Sequence, residues 1–258
     1  MAGVDEVELH TKVKDMYRLV AEQPHGAYHF EMGPALAERL GYPVDLLNCI
    51  PAAALESFAG VGYALDLAAL RPGERVLDLG SGSGTDSFAA AALVGATGTV
   101  VGVDFTAEQL AKARRLAAGA GLTNVEFREG RIEDLPAAGA EFDCVISNGV
   151  INLSADKDQV FAEAARALRP GGRLAIADIV TERQLSDAIV ENADLWASCI
   201  GGAAQQDTYS KAIEAAGLRI EQTRPNRYEF VSDQARNASI AFGVHSISVV
   251  AVKPERDA

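Results

Sequence analysis

The chain has 258 residues, of which 48% are hydrophobic and 23% charged, with 23 basic and 36 acidic side chains and a formal net charge of −13. This composition is globular and excludes a disordered or coiled-coil chain. The negative charge opposes binding to phosphate backbones and anionic lipids, so neither a nucleic acid nor a membrane is expected as a partner. The sequence has no apolar run of about 18 residues, so it predicts no membrane span. The acidic amino-terminal residues lack a secretion signal, which predicts a cytoplasmic protein.

The cysteines and histidines form no pattern that predicts a metal site. Cys49, Cys144 and Cys199 are odd in number and widely spaced, which argues against a disulfide framework and a Cys-x-x-Cys clip. His25 and His29 are four residues apart but lack a third ligand. We therefore expect reduced thiols and no bound metal.

The predicted elements divide the chain into two regions. Helical periodicity over residues 6–22 and 33–41, interrupted by prolines, predicts that residues 1–70 form a helical cap. From residue 71, apolar strands alternate with helices. The predicted strands are 75–79, 99–104, 125–128, 142–147, 173–178, 218–229 and 245–253. The predicted helices of this region are 86–94, 107–118, 156–168 and 208–216.

This alternation predicts a single α/β domain over residues 1–258, with a mostly parallel, Rossmann-like sheet covered by helices on both faces. No helix of crossover length is predicted between residues 218–229 and 245–253, so those strands are expected to pair antiparallel. Right-handed crossovers place a ligand site at the carboxyl ends of the first and fourth strands. Residues 179–205 are irregular and are expected to form an insertion on the substrate side.

A glycine-rich turn follows the first strand, with the pattern D-x-G-x-G-x-G from Asp78 to Gly84. Its glycines allow a sharp turn and close approach of a ligand. Thr85 takes the place of the third glycine of a dinucleotide-binding motif, which disfavours a nicotinamide oxidoreductase. Asp104 ends the second strand, where a carboxylate can accept both ribose hydroxyls. Asp78 suits a cationic amine, so the pattern favours a nucleoside that carries positive charge.

Five segments in this order, VLDLGSGSG, VVGVD, GRIEDLP, FDCVISN and LRPGGRLAIAD, resemble class I S-adenosylmethionine-dependent methyltransferases over about residues 73–253. The resemblance implies a seven-stranded sheet of order 3-2-1-4-5-7-6 with strand 7 antiparallel, and S-adenosylmethionine as cofactor. It implies that Asp104 holds the ribose, Phe105 flanks the adenine and Glu133 meets the adenine amine. The cofactor-binding residues that it implies are Asp78, Gly80, Ser81, Gly82, Asp86, Asp104, Phe105, Arg131, Ile132, Glu133, Ser147 and Asn148.

A narrower resemblance, carried by VISNGVINLSADK and LWASCIGGA, is to the arsenite methyltransferase family. That family has cysteine at three positions, because soft trivalent arsenic prefers thiolate ligands. This chain keeps Cys199 and has Gly149 and Val61 at the other two positions. The catalytic residues implied are Asn148 and Cys199, with Cys49 as the candidate for a second thiolate.

The expected activity is methyl transfer to a small-molecule acceptor by in-line displacement, accelerated mainly by alignment of the reactants. Residues 1–65 and 179–205 are expected to form the acceptor pocket, with Phe58 and Trp196 as walls and Gly149 leaving space beside the methyl group. The candidates for a general base are His25, Tyr28, His29 and His245.

Two alternatives stay open. One is arsenite methylation through Cys199 and Cys49, and the other is a protein that binds the cofactor without catalysis. Oxygen, nitrogen, carbon, sulfur and arsenic acceptors all occur on this fold, so the fold does not identify the acceptor. The sequence also allows a homodimer but does not predict the oligomeric state.

Overall fold

The computed structural model describes residues 4–197, 200–231 and 233–255. The strands in these ranges are β1 (Arg75–Leu79), β2 (Thr99–Asp104), β3 (Val125–Glu129), β4 (Phe142–Asn148), β5 (Leu168–Thr181), β6 (Ala204–Gln205), β7 (Arg219–Pro225) and β8 (His245–Val252). The helices are α1 (Glu6–Glu22), α2 (Pro34–Leu40), α3 (Val44–Leu47), α4 (Ala52–Glu56), α5 (Leu65–Ala68), α6 (Thr85–Val94), α7 (Ala107–Gly119), α8 (Lys157–Ala167), α9 (Asp187–Val190), α10 (Ala193–Ala197), α11 (Gln206–Ala215) and α12 (Asp233–Phe242). None of these helices combines the length and apolar character needed to cross a bilayer.

The strands form one sheet in the order β3-β2-β1-β4-β5-β8-β7, and β6 pairs with β5 outside this path. β8 runs antiparallel to both of its neighbours, whereas the pairs among β1 to β5 are parallel. These findings confirm the predicted fold class and strand order. The predicted number of seven strands was one too low, because β6 has two residues and is too short for a periodic signal.

A helix, α12, lies between β7 and β8, where the sequence analysis predicted none. Its sequence contains the weak helix formers Asn237 and Ser239, and only a narrow stripe that includes Ala235 and Ala238 is buried. The apolar periodicity is therefore weak. The predicted antiparallel pairing of the two strands is nevertheless correct.

Successive side chains of the central strands enter two different cores. Val76 and Ile146 face the core that also contains residues of α2 to α7, whereas Leu77 and Val145 face the core formed with α8 and α11. Both faces of the sheet are therefore covered, which explains why its strands are almost continuously apolar.

Hydrogen bonds from α7 fix α1 beside the carboxyl end of β2. The Gln109 amide donates to the carbonyl of Tyr17 at 2.8 Å. The buried Lys112 ammonium donates to the carbonyl of Ala21 at 3.1 Å and to the hydroxyl of Ser57 at 2.8 Å. The N-terminal helix thus becomes one wall of the site at this edge of the sheet.

Candidate active site

A cavity of about 280 Å³ opens at the carboxyl ends of β1 to β4, which includes the position predicted from the sequence. Parallel strands end at a common edge, so the turns that follow them meet there. The turn after β1, the ends of β2 and β3 and residues 148–150 line the cavity on one side. On the other side, α1 and residues 57–60 cover it.

Of the twelve predicted cofactor residues, Ser147 alone does not line this cavity. Its Oγ donates to the carbonyl of Leu79 at 3.0 Å, and the side chain is buried. Neighbouring residues of a strand point to opposite faces, so Ser147 and Asn148 point in different directions. The residues that do line the cavity are Asp78, Gly80, Ser81, Gly82, Asp86, Asp104, Phe105, Arg131, Ile132, Glu133 and Asn148.

The glycine turn is tied to the end of β2 through Asp104. Gly82 has a φ of +52°, a conformation that glycine adopts readily, and its N–H donates to Oδ2 of Asp104 at 2.9 Å. The N–H of Thr106 donates to Oδ1 of the same carboxylate at 2.8 Å. These donors hold the Asp104 carboxylate at the cavity, where it can accept from a ribose hydroxyl.

Three carboxyl groups line the cavity: those of Asp78 and Asp104 are buried, and that of Asp86 is half-buried. Burial raises the pKa of all three, and with the charge of Asp86 as second cause it raises the pKa of Asp78 to about 8. Within the described ranges, no basic side chain forms an ion pair with any of them. Because buried charges are normally paired, the cavity suits a cationic ligand.

A hydrogen-bonded network connects Asp86 to the N-terminal region. The hydroxyl of Tyr42 donates to Oδ1 of Asp86, and Nδ2 of Asn148 donates to Oδ2 of Asp86 at 2.9 Å and to the Tyr42 oxygen at 3.1 Å. Oδ1 of Asn148 accepts from the N–H groups of Val61 at 2.8 Å and Gly62 at 3.2 Å. The amide predicted as catalytic therefore holds the N-terminal region against β4, and its donors are already used.

At the opposite end of the cavity, His10 of α1 contacts residues that were predicted to bind the adenine. Its ring nitrogens lie 2.8 and 3.2 Å from nitrogens of Arg131, and its ring centroid lies 6.4 Å from that of Phe105. Burial and the charge of Arg131 lower the pKa of His10. Glu133 accepts from the hydroxyl of Ser154 at 2.5 Å and pairs with Arg131. The predicted adenine residues are thus brought together.

The face of α1 that lines the cavity was not predicted from the sequence. His10, Val13, Lys14 and Tyr17 share it, at the spacing of one helix face. That spacing was the available signal, but a mixed polar face is more often exposed to solvent. Tyr42 was not predicted either, because it lies outside any motif.

Of the two side chains predicted to form walls of the acceptor pocket, one lines the cavity and the other does not. Phe58 lines the cavity, but Trp196 does not and packs instead against Gly201 and Gly202. Gly149 lines the cavity, and a Cβ placed on it would lie 3.2 Å from Cγ1 of Val61.

The described cysteines do not form a thiolate site at the cavity. Cys49 is exposed, and Cys144 is buried in β4, where burial raises its thiol pKa to about 12. Neither lines the cavity. Cys199 lies outside the described residues. Among those that are described, no group of three or more His, Cys, Asp or Glu side chains is arranged to hold a metal ion.

None of the four candidate bases lines the cavity. His25 and His29 are exposed. The hydroxyl of Tyr28 donates to a backbone carbonyl at 2.8 Å, and both ring nitrogens of His245 lie within 3.1 Å of oxygen atoms. The geometry therefore gives none of them access to a bound acceptor in this conformation.

Comparison with known proteins agrees with this geometry. A family profile described as "Methyltransferase domain" matches residues 70–217. The chain therefore belongs to the methyltransferase domain family. This membership confirms the predicted class of protein.

Individual relatives add detail to this family assignment. The chain is 40% identical to an arsenite methyltransferase of Halobacterium salinarum over 223 residues, 86% of this chain and 57% of that protein. It is 50% identical to one of Aquipseudomonas alcaligenes over 174 residues, 64% of this chain and 50% of that protein. The chain thus spans about half the length of these curated relatives. The crystal structure of an arsenic(III) S-adenosylmethionine methyltransferase from Chlamydomonas reinhardtii matches with a TM-score of 0.64 and 29% identity, over 87% of this chain and 75% of that one.

Proposed function

We propose that the protein transfers a methyl group from S-adenosylmethionine to a small organic acceptor. The observation that carries the proposal is the cavity at the carboxyl ends of β1 and β4, with its buried, unpaired carboxyl groups. S-adenosylmethionine carries a sulfonium and an ammonium group, so its charge complements this site. Its ribose and adenine would occupy the opposite end. There, the Asp104 carboxylate can accept from the ribose hydroxyls, and the rings of Phe105 and His10 can flank the adenine.

The chain offers partners for each part of the cofactor. Asp104 would accept from the ribose hydroxyls, and Phe105 with His10 would enclose the adenine. Asp78 and Asp86 would face the amino acid part. This assignment agrees with the family resemblance and extends it to a residue of α1.

The bound cofactor would supply an electrophilic methyl group on a positively charged sulfur. The protein's contribution is to bind, align and exclude water: α1 and residues 57–60 cover the cavity, and Phe58 and Val150 give its acceptor side an apolar surface. An acceptor aligned with that methyl group would supply the lone pair for the new bond, and the carbon–sulfur bonding pair would stay on sulfur. Alignment in a dry cavity provides acceleration without a strong base.

The residues at Val61 and Gly149 favour an organic acceptor. They stand at two of the three positions where the arsenite methyltransferase family has cysteine, and they are in contact with each other. An isopropyl group and a glycine offer no lone pair to arsenic. Gly149 lines the cavity and the buried Val61 lies behind it, so this part of the cavity is apolar and suits a carbon skeleton.

Arsenite is the second candidate, because the curated relatives at 40% and 50% identity are arsenite methyltransferases. It would require Cys199 together with another thiol. Cys49 is the one proposed from the sequence, and the chain would have to rearrange to bring it to the cavity. Glutathione or another soluble thiol would be an alternative ligand of the same chemistry.

The test is to incubate the protein with methyl-labelled S-adenosylmethionine, a thiol reductant, and either arsenite or a panel of small organic acceptors, and to identify labelled products by mass spectrometry. An organic product supports the proposal. Methylated arsenic that is lost in Cys199→Ser, with cofactor affinity unchanged, supports the second candidate, and Cys49→Ser tests the second thiol. Asp104→Asn, which lacks the ribose acceptor charge, serves as the inactive control. Cofactor binding without product from any acceptor would indicate a non-catalytic protein.

Two further proposals concern the setting. We propose a reducing, cytoplasmic location, which the free thiols of Cys49 and Cys144 support. A homodimer is proposed only as an alternative to the monomer, to be decided by light scattering after size-exclusion chromatography. The net charge of −13 supports a small molecule rather than a nucleic acid as substrate.

A further inference from the structure

We propose that Tyr42 is a positioning residue for the cofactor: its hydroxyl keeps Asp86 ionised beside Asp78, so that the two carboxyl groups together bind the ammonium group of the cofactor's amino acid. The inference rests on the proposed function and adds to it a residue and a linkage between cofactor binding and proton release. Tyr42 lies in the N-terminal region, outside every motif of the methyltransferase core.

The buried side chain of Tyr42 has one polar group, its hydroxyl, and that hydroxyl is hydrogen-bonded to two neighbouring side chains. The side chain is buried, and its ring packs against Phe58 and Tyr63 at centroid distances of 5.2 and 4.5 Å. Its hydroxyl donates to Asp86 and accepts from Asn148. Burial and the charge of Asp86 raise its pKa well above the usual value, so the hydroxyl remains a donor at neutral pH.

Asp86 depends on its two donors to stay charged. Burial raises the pKa of its carboxyl group, whereas the hydrogen bonds from Tyr42 and Asn148 lower it. Asn148 is held in place by the N–H groups of Val61 and Gly62, so it cannot turn to compensate for a lost hydroxyl. Removing the hydroxyl of Tyr42 therefore shifts Asp86 toward its neutral form.

After burial, the charge of Asp86 is the largest cause of the raised pKa of Asp78. The other groups that face Asp78 are Asp104 on β2 and the hydroxyl of Ser87, which donates to it at 2.6 Å. The charge of Asp86 also raises the pKa of the half-buried Tyr63. The cluster thus contains acids and neutral donors but no cation among the described residues. One proton is held on Asp78 in the free protein at neutral pH, since its pKa is about 8.

An ammonium group in this cluster replaces that proton. Only the fraction of protein with Asp78 ionised binds it, so the apparent affinity rises about tenfold per pH unit below pH 8. Without the Tyr42 hydroxyl, the pKa of Asp86 rises, its charge opposes the ionisation of Asp78 less, and Asp78 ionises at lower pH. The pH dependence of binding then flattens, and binding near pH 7 no longer releases a proton.

The experiment compares the wild type with Tyr42→Phe and Tyr63→Phe by isothermal titration calorimetry, from about pH 6 to 7.5, in buffers of different ionisation enthalpy. The ligands are S-adenosylhomocysteine and 5′-methylthioadenosine, which lacks the amino acid. Phenylalanine preserves the packing of each ring, and Tyr63→Phe removes a hydroxyl from the same aromatic cluster. For S-adenosylhomocysteine we expect the steep slope and proton release in the wild type and Tyr63→Phe, and a slope below about threefold per pH unit in Tyr42→Phe. For 5′-methylthioadenosine we expect flat profiles in all three.

Three results would overturn the inference. If the affinity of Tyr42→Phe for S-adenosylhomocysteine has the same pH slope and proton release as the wild type, the Tyr42 hydroxyl has only a structural role. A lower melting temperature of the variant would not change this conclusion. An equal slope for 5′-methylthioadenosine would show that the titrating group does not serve the ammonium. Failure of the wild type to bind either ligand would refute the proposed function itself, and the inference with it.

Discussion

Val61 lies against the backbone of Gly149: a Cβ placed on that glycine would be 3.2 Å from Cγ1 and 3.5 Å from Cγ2 of Val61. Gly149 also has a φ of +72°, which L side chains rarely adopt. Residue 149 is therefore constrained twice, by its backbone and by its neighbour. Two departures from the cysteine pattern of the arsenite methyltransferases thus form a single packed contact.

We expect Gly149→Ala to lower the free energy of unfolding by about 1–2 kcal/mol from the left-handed backbone alone, with an added cost from contact with Val61. Gly121→Ala is the matched control, because Gly121 has a φ of +65° and no atom within 4 Å of an added Cβ. Urea unfolding of both variants, with and without Val61→Ala, separates the two costs. If Val61→Ala does not reduce the penalty at residue 149, the packing explanation is incorrect.

Lys112 of α7 connects the N-terminal region to the methyltransferase core through hydrogen bonds. Lys112→Met removes donors to the Ala21 carbonyl and the Ser57 hydroxyl, leaving buried acceptors unsatisfied at a cost of about 1–3 kcal/mol. We expect faster amide hydrogen exchange in α1 and weaker cofactor binding, since α1 covers the cavity. Arg115→Met, an exposed residue of the same helix, is the control. If amide hydrogen exchange in α1 is no faster in Lys112→Met than in Arg115→Met, Lys112 does not hold α1 against the core.

Sequence periodicity predicted the parts of the fold that have a strong local signal. β1 and β2 were predicted with their observed limits, because each is a short apolar run that ends in a polar or glycine-rich turn. α12 was not, because its helical form depends on the contact of a few small residues with the rest of the protein. Local propensity carries little of that information.

The residues of the candidate site also divide into those that the local sequence predicts and those that depend on tertiary packing. The glycine turn and Asp104 could be predicted, because a turn conformation and a strand end restrict residue type locally. Tyr42 and His10 could not, since each reaches the cavity through packing between segments that are distant in sequence. Ser147 was assigned to the site because the family resemblance implied both it and Asn148 at the end of the fourth strand, but the alternation of a strand directs its side chain elsewhere.

The raised pKa of Asp78 predicts how the stability of the free protein varies with pH. An unfolded aspartate ionises near pH 4, whereas Asp78 in the folded protein holds its proton to about pH 8. Its contribution to stability is therefore full below about pH 4 and falls by about 1.4 kcal/mol per pH unit until pH 8. We expect Asp78→Asn to flatten the decline measured by urea unfolding between about pH 5 and 8.

The matched control for this comparison is Asp15→Asn, which changes an exposed carboxylate on α1. It should leave the decline as it is in the wild type. A decline that persists unchanged in Asp78→Asn would show that Asp78 is ionised in the folded protein at neutral pH. Saturating cofactor is expected to raise stability most at the alkaline end, where the carboxylates are charged.

Lys157 lies with its ammonium 4.9 Å from the ring centroid of Trp196, the single tryptophan of the chain. Burial lowers the pKa of Lys157, while the charges of Asp178, Glu133 and Asp158 oppose that shift. As the pH rises, Lys157 therefore loses its charge below the ordinary range of lysine, and the cation–π contact is lost with it. Tryptophan fluorescence reports this one contact because no other indole contributes.

We expect the Trp196 emission of the wild type to change in a single titration below about pH 10 and this change to be absent in Lys157→Met. The variant should also be less stable by about 1 kcal/mol, since a cation–π contact is lost from a buried position. Lys211→Met, on the exposed side of α11, should keep the titration. If Lys157→Met still shows it, another group near the indole titrates. In that case Lys157 does not hold α10, the helix that carries Trp196, in place by its charge.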